Sequence, residues 1–148
     1  MADTRYLKTE VESYIRSRLA GEFKVSFASR DVALRTGGIH EFDAVAADDS
    51  VIGAIKTAGG PTSSGGNPSG KIKDCEAELY CLTLVEASTK LLILTSPPFY
   101  RVLTNRLRDR LADGIQLKLI ELPPAMQAEV ERIQGRASGE VSPGATGR

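Results

Sequence analysis

The sequence predicts an α/β domain with a mixed central sheet flanked by helices, and three observations predict it. Leu7, Val11, Ile15 and Leu19 recur at helical spacing near the start. Residues 38–57 read as two strands joined by the turn Asp48-Asp49-Ser50. Leu91-Leu92-Ile93-Leu94 is a continuous apolar run, the pattern of a strand covered on both faces. At 148 residues the chain has the length of one domain with a single core.

Taken in order, residues 5–20 form a first helix, with Tyr14 joining the apolar stripe and Gly21 as its stop signal. Phe23-Lys24-Val25-Ser26-Phe27 alternates and predicts a short strand; residues 30–38 then lead into the hairpin. Strands at 38–46 and 51–57 follow, β-branched and apolar around a polar turn. Residues 57–70 are rich in Gly, Ser and Pro and predict a long mobile loop. A second helix over 71–87 presents Ile72, Cys75, Leu79, Leu82 and Val85 on one face, and the buried strand at 90–95 follows it. Helix then buried strand predicts a crossover.

Pro97-Pro98 opens a third helix to about residue 112, stopped by Asp113-Gly114. Residues 115–122 alternate as a fifth strand, and Pro123-Pro124 begins a last helix to about residue 133. From 135 to 148 the chain is small, polar and without apolar period, so the division expected is a domain over 1–134 and a disordered tail over 135–148.

Composition narrows the function classes. Nineteen basic and nineteen acidic residues leave no net charge, so binding to nucleic acid has to come from a local patch. No stretch is apolar enough for a membrane span, and residues 1–5 lead into charged helix rather than an apolar signal region; the expected address is cytoplasmic, with no membrane partner. Cys75 and Cys81 lie on different faces of the second helix with no CxxC or neighbouring histidine. They read as buried thiols, neither a disulfide nor a zinc site.

The residues that carry chemistry sit on the hairpin. In period-2 counting Glu41, Asp43 and Val45 share one face of the first strand, and Ile52, Ala54 and Lys56 share a face of the second. If the faces coincide, Asp43, Ala54 and Lys56 converge. Taken alone, an Asp and a Lys on neighbouring strands most often form an exposed ion pair worth little. His40 has no acid, Ser or Cys constellation around it in sequence and reads as structural. Arg101, Arg106, Arg108 and Arg110 are interrupted by Asp109 and read as a solvated helix face.

With its element order and this hairpin, the chain resembles the PD-(D/E)XK superfamily of restriction-endonuclease-like nucleases. Their pattern is an Asp on one strand and an acid-x-Lys on the next; Asp43 and Lys56 match, and Ala54 stands where the second acid belongs. The resemblance covers most of residues 5–122. It implies an αβββαβ restriction-endonuclease-like core and metal-dependent hydrolysis of DNA phosphodiesters, with Mg²⁺ or Mn²⁺ as cofactor, bound weakly or not at all because of Ala54. The roles it implies are metal binding by Asp43 and the Ile55 carbonyl, and orientation of water by Lys56. The lost acid has candidate replacements in Glu12 on the first helix, in Glu76 or Glu78 on the second, and in Glu41 beside Asp43. Glu12 and Glu76 join Asp43 and Lys56 in the expected catalytic set, and Glu76 joins Asp43 and Ile55 in the metal set. DNA is the expected partner, with a homodimer or a protein partner left open. The alternative is a catalytically silent member of the fold that binds nucleic acid or protein.

Overall fold

The computed structural model describes residues 5–59 and 69–141, with side chains through 134. A π turn at Leu7–Val11 runs into helix α1 (Glu12–Phe23). Its buried stripe is Val11, Ile15 and Leu19, the i, i+4, i+8 spacing that sequence predicts. The helix passes through Gly21 and stops at Lys24, whose left-handed φ of 62° leaves its N–H bonded to the Ala20 carbonyl at 2.9 Å. The strand expected at 23–27 is therefore displaced: Phe23 belongs to the helix, and strand β1 is Phe27–Ala33. The alternation there was real as burial, since Phe23, Val25 and Phe27 all pack against one core, but a helix end and the chain leaving it satisfy that burial as well as a strand does.

Strands β2 (Ile39–Ala46) and β3 (Val51–Lys56) form the expected hairpin. Asp48 Oδ1 accepts from both the backbone N–H and the hydroxyl of Ser50 in its turn. Of the expected loop at 57–70, residues 60–68 lie outside the described residues. Helix α2 (Ser69–Leu82) is shorter than expected at its end, where the N–H groups of Leu84 and Val85 turn back to Cys81 and Leu82; Val85 is nevertheless buried in the core. Strand β4 (Thr89–Leu94) leads to helix α3 (Pro97–Leu107), capped by the Ser96 hydroxyl, which accepts from the Phe99 N–H at 3.4 Å. That helix closes in a turn from the Arg110 N–H to the Leu107 carbonyl, short of the expected 112. Strand β5 is Ile115–Leu119, and helix α4 spans Pro124–Val141, past the end expected near 133. Residues 142–148 of the expected tail lie outside the described residues.

The sheet is open and mixed, in the order β1-β2-β3-β4-β5. β1, β2 and β3 pair antiparallel; β3, β4 and β5 pair parallel, joined by α2 and α3 as crossovers. Both faces are covered. Ile72, Cys75, Leu79 and Leu82 of α2 and Phe99, Leu103 and Leu107 of α3 meet Phe42, Val45, Ile52, Ala54 and Leu92 on one side. Val11, Ile15 and Leu19 of α1 and Val130 of α4 meet Ala44, Val51, Ile55, Leu91 and Ile93 on the other. This double burial is why β4 is apolar at every position from Leu91 to Leu94. Gly53 is small for a reason: a Cβ there would meet Ile93 Cδ1 at 3.1 Å and the Leu91 carbonyl at 3.4 Å.

Candidate functional site

The candidate site lies where β2 and β3 part. Their ladder is paired at Val45 with Ile52 and at Ala44 with Gly53. Beyond it, the side chain of Asp43 takes the place of a strand carbonyl, its Oδ2 accepting the Ile55 N–H at 2.8 Å. Regular alternation breaks here too. Phe42 and Val45, three residues apart, enter the same core, while Ala44 and Ala46 face the other. The expected convergence of Asp43, Ala54 and Lys56 on one face is therefore corrected. Ala54 is 1% exposed and packs with Ile52 and Leu92 beneath α2, whereas the Asp43 carboxylate is spent on the backbone of β3.

Helix α1 brings a second acid. Glu12 lies one turn before Arg16, which it approaches at 3.7 Å, and Arg16 Nη1 donates to the Asp43 carbonyl at 2.8 Å. That guanidinium ties the helix to β2 at the point where the strand leaves its partner. Burial pushes the Glu12 carboxyl up to about 6, the negative charge of Asp43 adds to the rise and Glu41 adds a little more, while Lys8 and Arg16 pull the other way. Glu12 and Asp43 thus repel each other in a partly desolvated place. Glu41 turns to β1 and accepts from the Ser29 hydroxyl at 2.9 Å.

Helix α2 supplies the partner of the lysine. Lys56 Nζ lies 3.8 Å from Glu78 Oε2, and Glu78 Oε1 lies 3.2 Å from His40 Nε2. In place of an ion pair between Asp43 and Lys56 on neighbouring strands, Lys56 pairs with Glu78. Glu76, two residues earlier, points round the helix to Arg106 at 3.7 Å, because residues i and i+2 of a helix do not share a face. Of the two α2 acids considered, Glu78 is the one brought to Lys56. His40 has an edge-on contact with Phe42, ring centroids 4.6 Å apart, and so fixes one side of Glu78.

A cavity of about 240 Å³ opens beside Lys56, lined also by Thr57, Lys71, Asp74, Cys75 and Gln134. Gln134 Nε2 donates to the Thr57 carbonyl at 2.8 Å and holds α4 against the end of β3. Cys75 is 1% exposed, and burial pushes its thiol up to about 11. Arg16, Lys71 and Gln134 were not singled out in the sequence. The i, i+4 spacing of Glu12 and Arg16 was the one available signal; Lys71 and Gln134 reach the site only through tertiary placement.

Among the described residues no group of three or more His, Cys, Asp or Glu side chains could hold a metal ion. The carboxylates of Glu12 and Asp43, near enough for Asp43 to raise the Glu12 carboxyl, make the oxygen set at hand. Mg²⁺ keeps most of its waters and takes one or two protein carboxylates, so this set is small but chemically suited to it. Among the described residues no helix is long and apolar enough to cross a membrane. No family model, no curated protein and no solved structure matches the chain, so its own geometry shows an α/β domain with a five-stranded mixed sheet and carries no family assignment.

Proposed function

We propose that the chain is a metal-dependent nuclease-like domain acting on DNA phosphodiesters, with a restriction-endonuclease-like αβββαβ core. The observation that carries this reading is the closeness of the Glu12 and Asp43 carboxylates, delivered by α1 and β2, with Asp43 bonded to Ile55, the residue before Lys56. The element order and the change from antiparallel to parallel pairing at β3 support the same fold.

Glu12 and Asp43 would hold a Mg²⁺ or Mn²⁺ ion with the Ile55 carbonyl, and their mutual repulsion favours a cation between them. The bound ion would supply charge neutralisation and water activation. The rest belongs to the chain. Asp43 locks the end of β3 through the Ile55 N–H and so fixes the direction in which Lys56 leaves the strand. Glu78 and His40 hold the Lys56 ammonium at the mouth of a cavity that Lys71 also lines, which gives a phosphate two cationic partners. Glu78 rather than Glu76 is the α2 acid in reach of the lysine.

A second reading is favoured by one observation: Ala54 puts a buried methyl group where the resemblance requires an acid. In that reading the domain binds nucleic acid or a protein without cleaving. One experiment separates them. Plasmid and single-stranded DNA are incubated with the chain and Mn²⁺ or Mg²⁺, alongside Asp43→Asn, Lys56→Ala, Glu78→Gln and Glu76→Gln. Weak cleavage that Asp43→Asn and Lys56→Ala abolish and Glu76→Gln leaves intact supports the nuclease. A folded chain that binds no Mn²⁺ by calorimetry and leaves both DNAs intact overturns it.

A further inference from the structure

Outside the candidate site, a cavity of about 210 Å³ lies at the carboxyl ends of β4 and β5, lined by Thr95, Pro97, Pro98, Glu121, Gln127 and Glu131 among others. Two of its lining residues carry a buried side-chain oxygen without a hydrogen-bond partner, Thr95 Oγ1 and Gln127 Oε1. Thr95 is 1% exposed. Leaving a buried polar atom unpartnered is costly, so two beside one cavity mark a place where something else completes the bonding. The orientation of the Gln127 amide is fixed from outside: Nε2 donates to Glu131 Oε2 at 3.0 Å, and turning the amide over would set two oxygens against each other.

The chemistry of the wall selects the guest. The Thr95 hydroxyl can donate as well as accept, and donors beside it are committed. The Ser96 hydroxyl donates to the Gly59 carbonyl at 3.0 Å, and the Phe99 N–H goes to that same hydroxyl. Pro97 and Pro98 occupy the first turn of α3 and carry no N–H, so this helix start lacks the donors with which such an end takes an anion. What remains is an amide oxygen, a hydroxyl and the carboxylates of Glu121 and Glu131, set beside the apolar faces of two prolines and Leu122. Two full negative charges outweigh the half-charge of a helix terminus.

We propose that this cavity is a binding site for an alkylammonium group, whose N–H donors satisfy Thr95 Oγ1 and Gln127 Oε1 while its methylene stem lies on Pro97, Pro98 and Leu122. The group has two sources, a free small diamine or the lysine side chain of a partner. The site shares no residue with the hairpin and does not depend on nuclease activity.

The test is amide NMR titration of the full chain with 1,4-diaminobutane, with Nα-acetyl-lysine methylamide, and with n-butanol as the neutral control, at constant ionic strength. Saturable shifts centred on residues 95–98 and 121–131 with either amine, and none with n-butanol, are the expected result; the tighter amine names the source. Gln127→Leu and Thr95→Val should each weaken binding at least tenfold. Gln127 lies on a partly exposed helix face, so its variant keeps the test valid if Thr95→Val fails to fold. Unsaturable shifts, equal response to n-butanol, or amine binding unchanged in Gln127→Leu would overturn the proposal and leave ordered water as the guest of the two oxygens.

Discussion

Asp43 and Ile55 are joined by a side-chain hydrogen bond across the hairpin, carboxylate oxygen to backbone N–H at 2.8 Å. The bond stands where a carbonyl of β2 would stand in an unbroken ladder. It lets the two strands separate without leaving the Ile55 N–H unpaired, and it holds the residue before Lys56 in place. One acid therefore has a structural duty whatever chemistry the site performs.

Asp43→Ala should destabilise the protein by about 1–3 kcal/mol, the cost of leaving a buried N–H without its acceptor. Asp43→Asn keeps an oxygen at the same position and should lose less. Urea denaturation checks the order of the two. Hydrogen exchange at the Ile55 amide localises the cause, since it should quicken in the Ala variant far more than in the Asn variant. Equal exchange in both variants would mean that the bond contributes nothing to the hairpin.

Glu12 gives a pH dependence whose sign is fixed. Its folded-state value, about 6, lies above the ordinary 4.5, so the folded protein favours the protonated acid. The stability this confers is complete below 4.5 and is lost as pH rises through 6. Glu12→Gln, a neutral isostere, should then be more stable than the parent at pH 7.5 by about 1–2 kcal/mol after allowance for solvent screening, and the difference should vanish near pH 4. Melting temperatures measured across that range provide the check. A variant less stable than the parent at pH 7.5 would show that the Arg16 contact outweighs burial and the repulsion from Asp43.

How much of this was legible beforehand differs from element to element. The buried run at Leu91 to Leu94 and the hairpin were readable because their patterns survive any tertiary arrangement: a strand covered on both faces has to be apolar throughout, and Asp48 with Ser50 makes a local turn. The first strand is displaced because Phe23 and Val25 are partly buried without being in a strand, and burial is what alternation reports. The site residues Asp43 and Lys56 were legible as a pair on adjacent strands. Their surroundings were not, because period-2 counting assumes an unbroken ladder, and the break at residues 42–45 turns Asp43 toward the Ile55 N–H, while Ala54 is buried because its face of β3 lies beneath α2. The choice of Glu78 over Glu76 depends on the rotation of α2 against the sheet, which the uncertain register of residues 57–70 hid.

The thiols should separate cleanly. Cys75 is buried and its thiol is pushed up to about 11, so little thiolate forms at neutral pH. Cys81 is partly exposed, and its smaller rise also comes mainly from burial. A disulfide reagent at pH 8 should label Cys81 within minutes and Cys75 only at the rate of unfolding. Mass spectrometry of digests assigns the sites. Prompt labelling of Cys75 would mean that the cavity beside Lys56 opens readily in the folded protein.

Ala54→Glu tests the place of the missing acid in light of its burial. Position 54 is 1% exposed and surrounded by Ile52, Leu92 and the apolar face of α2, so a carboxylate pointing into that core has to be protonated or lose several kcal/mol, on the order of 2–5. The loss should be smallest near pH 5 and grow toward pH 8, because burial raises the carboxyl above its unfolded value. A divalent ion changes this only if the side chain reaches the gap where Asp43 and Glu12 lie. Melting curves at pH 5 and pH 8, each with and without Mn²⁺, separate the outcomes. Recovery of the pH 8 loss by Mn²⁺ in Ala54→Glu, absent when Asp43→Asn is added, would mean that the new acid and Asp43 share an ion. A loss untouched by Mn²⁺ would mean that position 54 belongs to the core and does not supply the second acid beside Asp43.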